Sequence, residues 1–497
     1  MQIAQSTYGT VHDFASAAKI SINNFAAIFR MRVPAAFHAL SRLPLRPGAA
    51  IQCRSSARFA VRGMVVIALL LSAAGEASAF HEGGVGPCEA CHTMHNTAEG
   101  VPLGVKQAYL LRGQDPSSIC LNCHQQAFDV GPAREHISTP ENELQGTAAP
   151  KQLTPGGDFG WLKKSYSWYP GQSLPLSYSP GERHGHNIVA ADFLYGADSV
   201  PVAPGGTYPS AGLACTSCHD PHGRYRRHSD GAIGTTGKQI ADSGSYASSP
   251  DPNLNGSVGV YRLLAGVNYQ PKSVTGNFAF LYDPPDAVAP GAGAGDSNRA
   301  EATTQTRVAY GRGMSEWCRN CHPGMHNPAY SGLHHAAGAT GSPYSEVLGQ
   351  IQSGQPYTYA DNYNRYIKTG NLLGTSNSSY LSLVPFEEGT GNYALLKQHA
   401  RTDDSYLNGP DNVDAQVMCL TCHRAHASGW DSALRWNSKT EYIVYDGLYS
   451  QETASYEPYG QGRAEAEALR AYYEQPASKF AMNQKTLCDK CHVEVYP

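Results

Sequence analysis

The sequence predicts a mostly irregular chain with a few short α-helices and very little β structure, on three observations. Glycine and proline are abundant, at 51 and 32 of 497 residues, while only 16% of the residues are charged. No sustained strand alternation or heptad pattern organises the apolar positions. The third observation is a pattern, Cys-x-x-Cys-His, that recurs six times, at residues 88–92, 120–124, 215–219, 318–322, 419–423 and 488–492.

That pattern is the attachment signature of c-type haem. Two thiols three positions apart can each form a thioether to one haem vinyl group, and the next residue turns its imidazole onto the iron. The expected thioether positions are Cys88, Cys91, Cys120, Cys123, Cys215, Cys218, Cys318, Cys321, Cys419, Cys422, Cys488 and Cys491. The expected proximal ligands are His92, His124, His219, His322, His423 and His492. Six covalently bound haem c groups follow. A lone Cys-x-x-Cys also suits half a zinc site or a thioredoxin-like redox pair. Neither needs the trailing histidine, and a zinc ribbon brings its pairs together at roughly 15–20 residues, far closer than the motifs stand here. Catalytic residues are not expected.

A chain so rich in loops buries too little of itself to fold alone. The porphyrins are therefore expected to form much of the core, and their covalent attachment to restrict the unfolded state as cross-links do. The fold class is a multihaem cytochrome c wrapped around a covalent haem chain, as a single domain over residues 80–497. Helical pattern is confined to residues 462–475, 392–400 and 361–368, and residues 284–295 and 235–252 read as turn-rich connections.

The motifs use 12 of the 13 cysteines and leave only Cys53. Cys53 lies in a leader over residues 1–79. There the apolar run 64–74 is preceded by Arg54, Arg58 and Arg62 and followed by Ala77-Ser78-Ala79, the three regions of a secretory signal peptide. The run is well short of the roughly 20 residues that span a bilayer, and no later stretch is long and apolar enough to do so. Export signals occupy roughly 15–30 residues, so the residues before about 50 are expected to precede the true translation start. The formal net charge is −4, and loss of an Arg-rich leader makes the remainder more acidic. Nucleic acid is thus a poor partner.

The second axial position on each iron separates a carrier from an enzyme. His95, His222 and His426 each stand three residues after a motif histidine, a spacing that puts two imidazoles on one helical face, within reach of adjacent haems. His136, His186 and His399 are isolated histidines, and His335 is preferred to its neighbour His334; His326, four residues after a motif, is held in reserve. His81 and His228 read as solvated side chains. Six distal ligands are expected from this set. Met94 and Met325 are read as packing against porphyrin rather than as ligands that raise a potential. Histidine on both sides of each iron closes it to substrate, the design of an electron carrier. A multihaem reductase, which needs an open iron, is disfavoured because all six motifs are standard, and a monomeric periplasmic carrier is the main alternative.

Beyond the motifs, residues 80–96 (FHEGGVGPCEACHTMHN), 154–168 (TPGGDFGWLKKSYSW), 203–209 (APGGTYP), 215–227 (CTSCHDPHGRYRR), 301–322 (EATTQTRVAYGRGMSEWCRNCH), 381–390 (LSLVPFEEGT) and 419–429 (CLTCHRAHASG) carry a resemblance. The chain resembles the hexahaem outer-surface c-type cytochromes of metal-reducing bacteria, through essentially all of residues 80–497. It departs from them in the leader, in added histidines such as His184, His228 and His334, and in loop lengths between about 336 and 380. The resemblance implies head-to-tail polymerisation of identical subunits into an extracellular filament that conducts respiratory electrons to acceptors such as ferric oxides, with other multihaem cytochromes as partners. It also implies that His95 ligates the haem of the fifth motif in the adjacent subunit. Sequencing of the purified protein is expected to start at Phe80; recovery of residues from 1–60 would overturn the leader assignment.

Overall fold

The computed structural model describes residues 88–93, 95, 97–98, 101–102, 108–132, 135–169, 175–291, 301–303, 306–326, 337–338, 344–350, 356–366, 373–403, 408–449 and 459–492. All belong to the second of two units into which the chain divides, Met1–Ala77 and Ser78–Pro497. The leader, Cys53, His81, Met94, His334 and His335 lie outside them.

Local capping explains where helices start and why they stay short. Helix α2 (Pro116–His124) starts at Asp115, whose carboxylate accepts from Ser118 N at 2.8 Å, with Pro116 in the first turn; it stops where Gln125 turns extended. Such a cap satisfies donors that the first turn leaves free. The capped helix α5 (Tyr393–His399) and helix α7 (Glu465–Ala471) fall within segments where the sequence predicts helix, and the capped helix α4 (Tyr359–Arg365) overlaps the third, 361–368, but starts two residues before it. Helices α1 (Cys88–Cys91), α6 (Cys419–Cys422) and α8 (Asp489–His492) are single turns carried by the motifs themselves, and the short α3 (Met314–Cys318) ends on the first cysteine of the fourth.

Strands are two to four residues long among the described residues and pair mostly as isolated ribbons. The largest sheet has four strands, in the order Ile233–Gly234, Arg226–Arg227, Ser257–Gly259, Ile240–Asp242; only its last pair is parallel. Part of the segment expected as turns is thus a small sheet, whose strands are too short for alternation to reveal. Among the described residues no helix is long and apolar enough to cross a membrane.

The apolar core is broken into five clusters among the described residues. The largest, around Trp161, Trp430, Tyr363 and Tyr472, packs against Cys422 and Cys491 of the fifth and sixth motifs. A second, with Tyr261, Tyr310 and Met418, borders Trp317, just before the fourth, and Leu420 in the fifth. A third, with Leu121, Phe159 and Ile188, meets Cys215 of the third. Three of the five clusters thus reach motif residues, and the other two do not.

Two glycines hold loops against motifs where no side chain fits. Gly206 lies so close to the fourth motif that a Cβ would stand 2.0 Å from Cys321 O. Gly157 has φ +98°, and a Cβ there would stand 1.7 Å from Ala427 O. Gly157→Ala therefore meets both a left-handed backbone penalty and a fixed carbonyl, and is expected to destabilise the fold by more than about 1 kcal/mol. Thermal unfolding followed by near-ultraviolet circular dichroism checks this, and an unchanged transition refutes it.

Candidate functional site: six motifs in single file

Five proximal histidines are anchored alike. Their Nδ1 atoms meet backbone carbonyls: His92 to Tyr109 O at 2.9 Å, His124 to Glu135 O at 2.6 Å, His219 to Arg262 O at 2.8 Å, His322 to Pro204 O at 2.9 Å and His423 to Ser432 O at 2.7 Å. A carbonyl only accepts, so each Nδ1 carries the ring proton and Nε2 keeps its lone pair. This is how metal-binding histidines are oriented and their basicity raised. Burial also lowers the pKa of His322 and His423, which favours the neutral form that binds metal.

The first, third and fifth motifs share one clamp that sequence reasoning missed. The acceptor carbonyl belongs to a pair of residues with left-handed backbones: Tyr109 and Leu110 (φ 59° and 56°), Arg262 and Leu263 (52° and 55°), Ser432 and Ala433 (58° and 55°). A leucine follows each pair, Leu111, Leu264 and Leu434, and forms a β-bridge with the motif histidine. Backbone bonds close the clamp on both sides, as from Asp220 N to Leu263 O at 2.8 Å and from Ala265 N to Cys218 O at 2.9 Å. The only sequence signal is the recurring leucine. Two successive left-handed non-glycine residues cost about 1–2 kcal/mol each, and nothing in their identities announces them.

Three proximal rings face a second imidazole. His92 and His222 have ring centroids 6.2 Å apart with planes at 17°, His219 and His426 stand 6.2 Å apart, and His322 and His186 stand 6.0 Å apart. With metal–nitrogen bonds of about 2 Å on each side and each ring centre about 1 Å behind its nitrogen, two imidazoles on one metal stand about 6 Å apart. The spacing fits one iron in each gap. His186 is oriented like the proximal set, with Nδ1 donating to Ala425 O at 2.6 Å. His426 is buried with its pKa held down to about 3, by burial and then by His219, and is backed by Gly156, where a Cβ would come within 2.8 Å of Nδ1.

Other candidates are placed differently. His136 and His399 direct Nδ1 at carboxylates, Asp129 and Glu388, each at 2.5 Å. His326 reaches the thiol of Cys419, and His95 is exposed. His335 lies outside the described residues. His184 has both nitrogens committed: Nδ1 donates to Trp161 O at 2.9 Å, and Nε2 faces Ser179 Oγ at 2.9 Å and Arg463 Nη2 at 3.3 Å. Burial, then Arg463, hold it neutral with a pKa of about 3. It is a core residue, whereas its neighbour His186 faces a motif.

The motifs follow one another in chain order. Cys91 of the first neighbours Cys123 of the second, and the thiols of Cys120 and Cys215 neighbour each other between the second and third. Cys218 neighbours Cys321, Cys318 neighbours Cys419, and Cys422 neighbours Cys488 and Cys491, which reaches the sixth. The second-to-third and fourth-to-fifth joints are built alike: Ser117 Oγ accepts from Cys215 N at 3.1 Å, and Ser315 Oγ accepts from Cys419 N at 3.0 Å. Burial pushes the thiols of Cys321 and Cys422 up to about 12 and that of Cys491 up to about 11. Among the described residues no three Cys, His, Asp or Glu side chains converge as a metal cage. The array fits groups that lie between facing imidazoles and bond to flanking thiols.

Such a fold and site define a multihaem c-type cytochrome. C-type cytochrome OmcS of Geobacter sulfurreducens is 50% identical over 441 residues, which cover 86% of this chain and 98% of OmcS. Two solved structures, the cryo-EM structure of the OmcS nanowires and the Outer Membrane Cytochrome S filament, both from Geobacter sulfurreducens, match with TM-scores of 0.72 and 0.73; each shares 50% identity and covers 83% of this chain and 99% of its own. No protein-family model matches the chain. The chain belongs to the family of OmcS-type c-type cytochromes, and haem is its cofactor.

The two neighbouring histidines make a sharp test. In oxidised protein, His186→Ala is expected to convert one iron to high spin by electron paramagnetic resonance. His184→Ala is expected to leave every iron low-spin and to lower stability by about 1–3 kcal/mol through the polar groups it strands. The reverse pattern would exchange their roles.

Proposed function

We propose that residues 80–497, exported by the leader, carry six haem c groups and polymerise head to tail into an extracellular filament that conducts respiratory electrons to acceptors such as ferric oxides. The single-file order of the six motifs carries this reading, because each site has its neighbours in chain order and none stands apart. The twelve motif cysteines bond the porphyrins, and the six motif histidines are the proximal ligands. His222, His426 and His186 cap the irons of His92, His219 and His322, on the strength of the ring spacings. His136, His399 and His335, with His326 in reserve, remain for the irons of His124 and His492. Haem supplies a one-electron iron couple at each position. The chain's own part is to close both faces of each iron, which is a carrier's arrangement rather than an enzyme's.

His95 supports the filament. It is exposed, and among the described residues no second imidazole faces His423 at the spacing of the other pairs. We assign His95 to the fifth-motif iron of the next subunit; the filaments of the solved relatives support assembly of identical subunits. Other multihaem cytochromes and external oxidants are the proposed partners. His95→Ala is expected to abolish filaments in electron micrographs and to leave one iron of six without its second imidazole. Haem content measured as the pyridine haemochrome should remain six per chain, and normal filaments would refute the assignment.

A further inference from the structure

Beside the fifth motif lies a buried ion cluster with one charge too many. Glu301 is fully buried and accepts from Arg424 Nη1 at 2.8 Å, Arg435 Nη1 at 2.5 Å and Tyr310 OH at 2.7 Å. Burial alone raises its carboxyl, but Arg435 and Arg424 overcome that and hold it below the usual carboxylate range. Arginine stays protonated in proteins, so two guanidiniums share one carboxylate. Among the described residues no other carboxylate pairs with either. An uncompensated buried charge is among the most costly features a fold can hold.

The two arginines are not equivalent. Arg435 is fully engaged: Nε donates to Leu420 O at 2.6 Å and to His423 O at 3.1 Å, Nη1 to Glu301 and to Ser382 O, and Nη2 to Glu301 Oε1 at 3.4 Å. Arg424 uses only Nη1, toward Glu301 and toward Pro155 O at 3.0 Å, while Tyr473 covers its face with the ring centroid 3.3 Å from Cζ. Its Nε and Nη2 are buried and make no hydrogen bond among the described residues. Those two N–H groups form the side-on fork that matches a carboxylate in bidentate fashion.

The geometry points to Arg424 as the binding site of a haem propionate. The missing anion and the idle fork are separate observations that ask for the same ligand, and the residue stands directly after His423 and two before His426. Its position admits the haem of either histidine, so the propionate belongs to the third or the fifth motif. The assignment rests on the haem-filled reading above. With a carboxylate in the fork, two negative groups balance two guanidiniums, and the propionate is held ionised away from water.

A side-chain-resolution density map of the wild-type filament tests this directly. One propionate carboxylate is expected within hydrogen-bonding distance of both Nε and Nη2, and the map identifies its haem; a protein group or water in that place, with all propionates elsewhere, overturns the assignment. A second measurement uses holoprotein grown on a haem precursor with ¹³C-labelled carboxyls. In infrared spectra, Arg424→Gln should shift one labelled carboxylate band and Arg424→Lys should shift it less, while unchanged bands in both variants overturn the site. Pyridine haemochrome analysis separates the two levels, because fewer than six haems in the wild type counts against the haem-filled reading itself.

Discussion

A neutral imidazole has one N–H and one lone pair, so it can bind a metal in a fixed direction only if something rigid takes the proton on the other nitrogen. Backbone carbonyls do this for five proximal histidines and for His186. Much of the rest of the fold serves to bring a carbonyl to each ring. The left-handed pairs at Tyr109, Arg262 and Ser432 exist to turn one carbonyl inward, and their strain is of the kind that folds retain at working sites. The glycines of 205–206 do the same for the fourth motif, letting the chain pass against Cys321 so that Pro204 O reaches His322. A regular helix or sheet commits its carbonyls to itself. Loops leave them free, which is a physical reason for a chain of this function to be mostly loop.

What the sequence discloses follows from the range of each interaction. Thioether chemistry is local, so five consecutive residues suffice to mark each of the six candidate sites. Caps are local as well, and the helices over residues 359–365, 393–399 and 465–471 were legible from periodicity and flanking residues. The motif helices were not, because one turn is too short to hold a period. The clamps were illegible for a different reason: their acceptors stand 17, 43 and 9 residues beyond the histidines they hold. His184 and His186 differ in role because Arg463, 279 residues further along, takes one nitrogen of the former.

The divided core has the same origin. Trp161, Trp430, Tyr363 and Tyr472 share one cluster that runs up to Cys422 and Cys491, whereas Tyr261, Tyr310 and Met418, or Leu121, Phe159 and Ile188, which in an ordinary domain would join it, form clusters of their own. Covalent attachment fixes where each porphyrin enters, so the protein need only line a path. Aromatic residues suit that lining because they present apolar area while their hydroxyls find partners, as Tyr473 does with Thr154 O at 2.6 Å and Tyr363 with Val384 O at 2.6 Å. Burial raises the pKa of these phenols, so they remain neutral beside the cofactor path.

Single-file order and filament assembly are linked by where one row of sites would meet the next. Here the first motif lies in the exposed segment that also carries His95, while the fifth proximal ring, His423, is anchored by Ser432 within the folded body. If His95 supplies the second imidazole that no described residue presents to His423, donor and acceptor are different surfaces of the same molecule. Contact between unlike surfaces cannot close a two-fold dimer, and it propagates into a ring or an open filament according to the rotation per step. The coordination bond then sets direction and register at once, because an imidazole anchored on one subunit tolerates only one approach by the next.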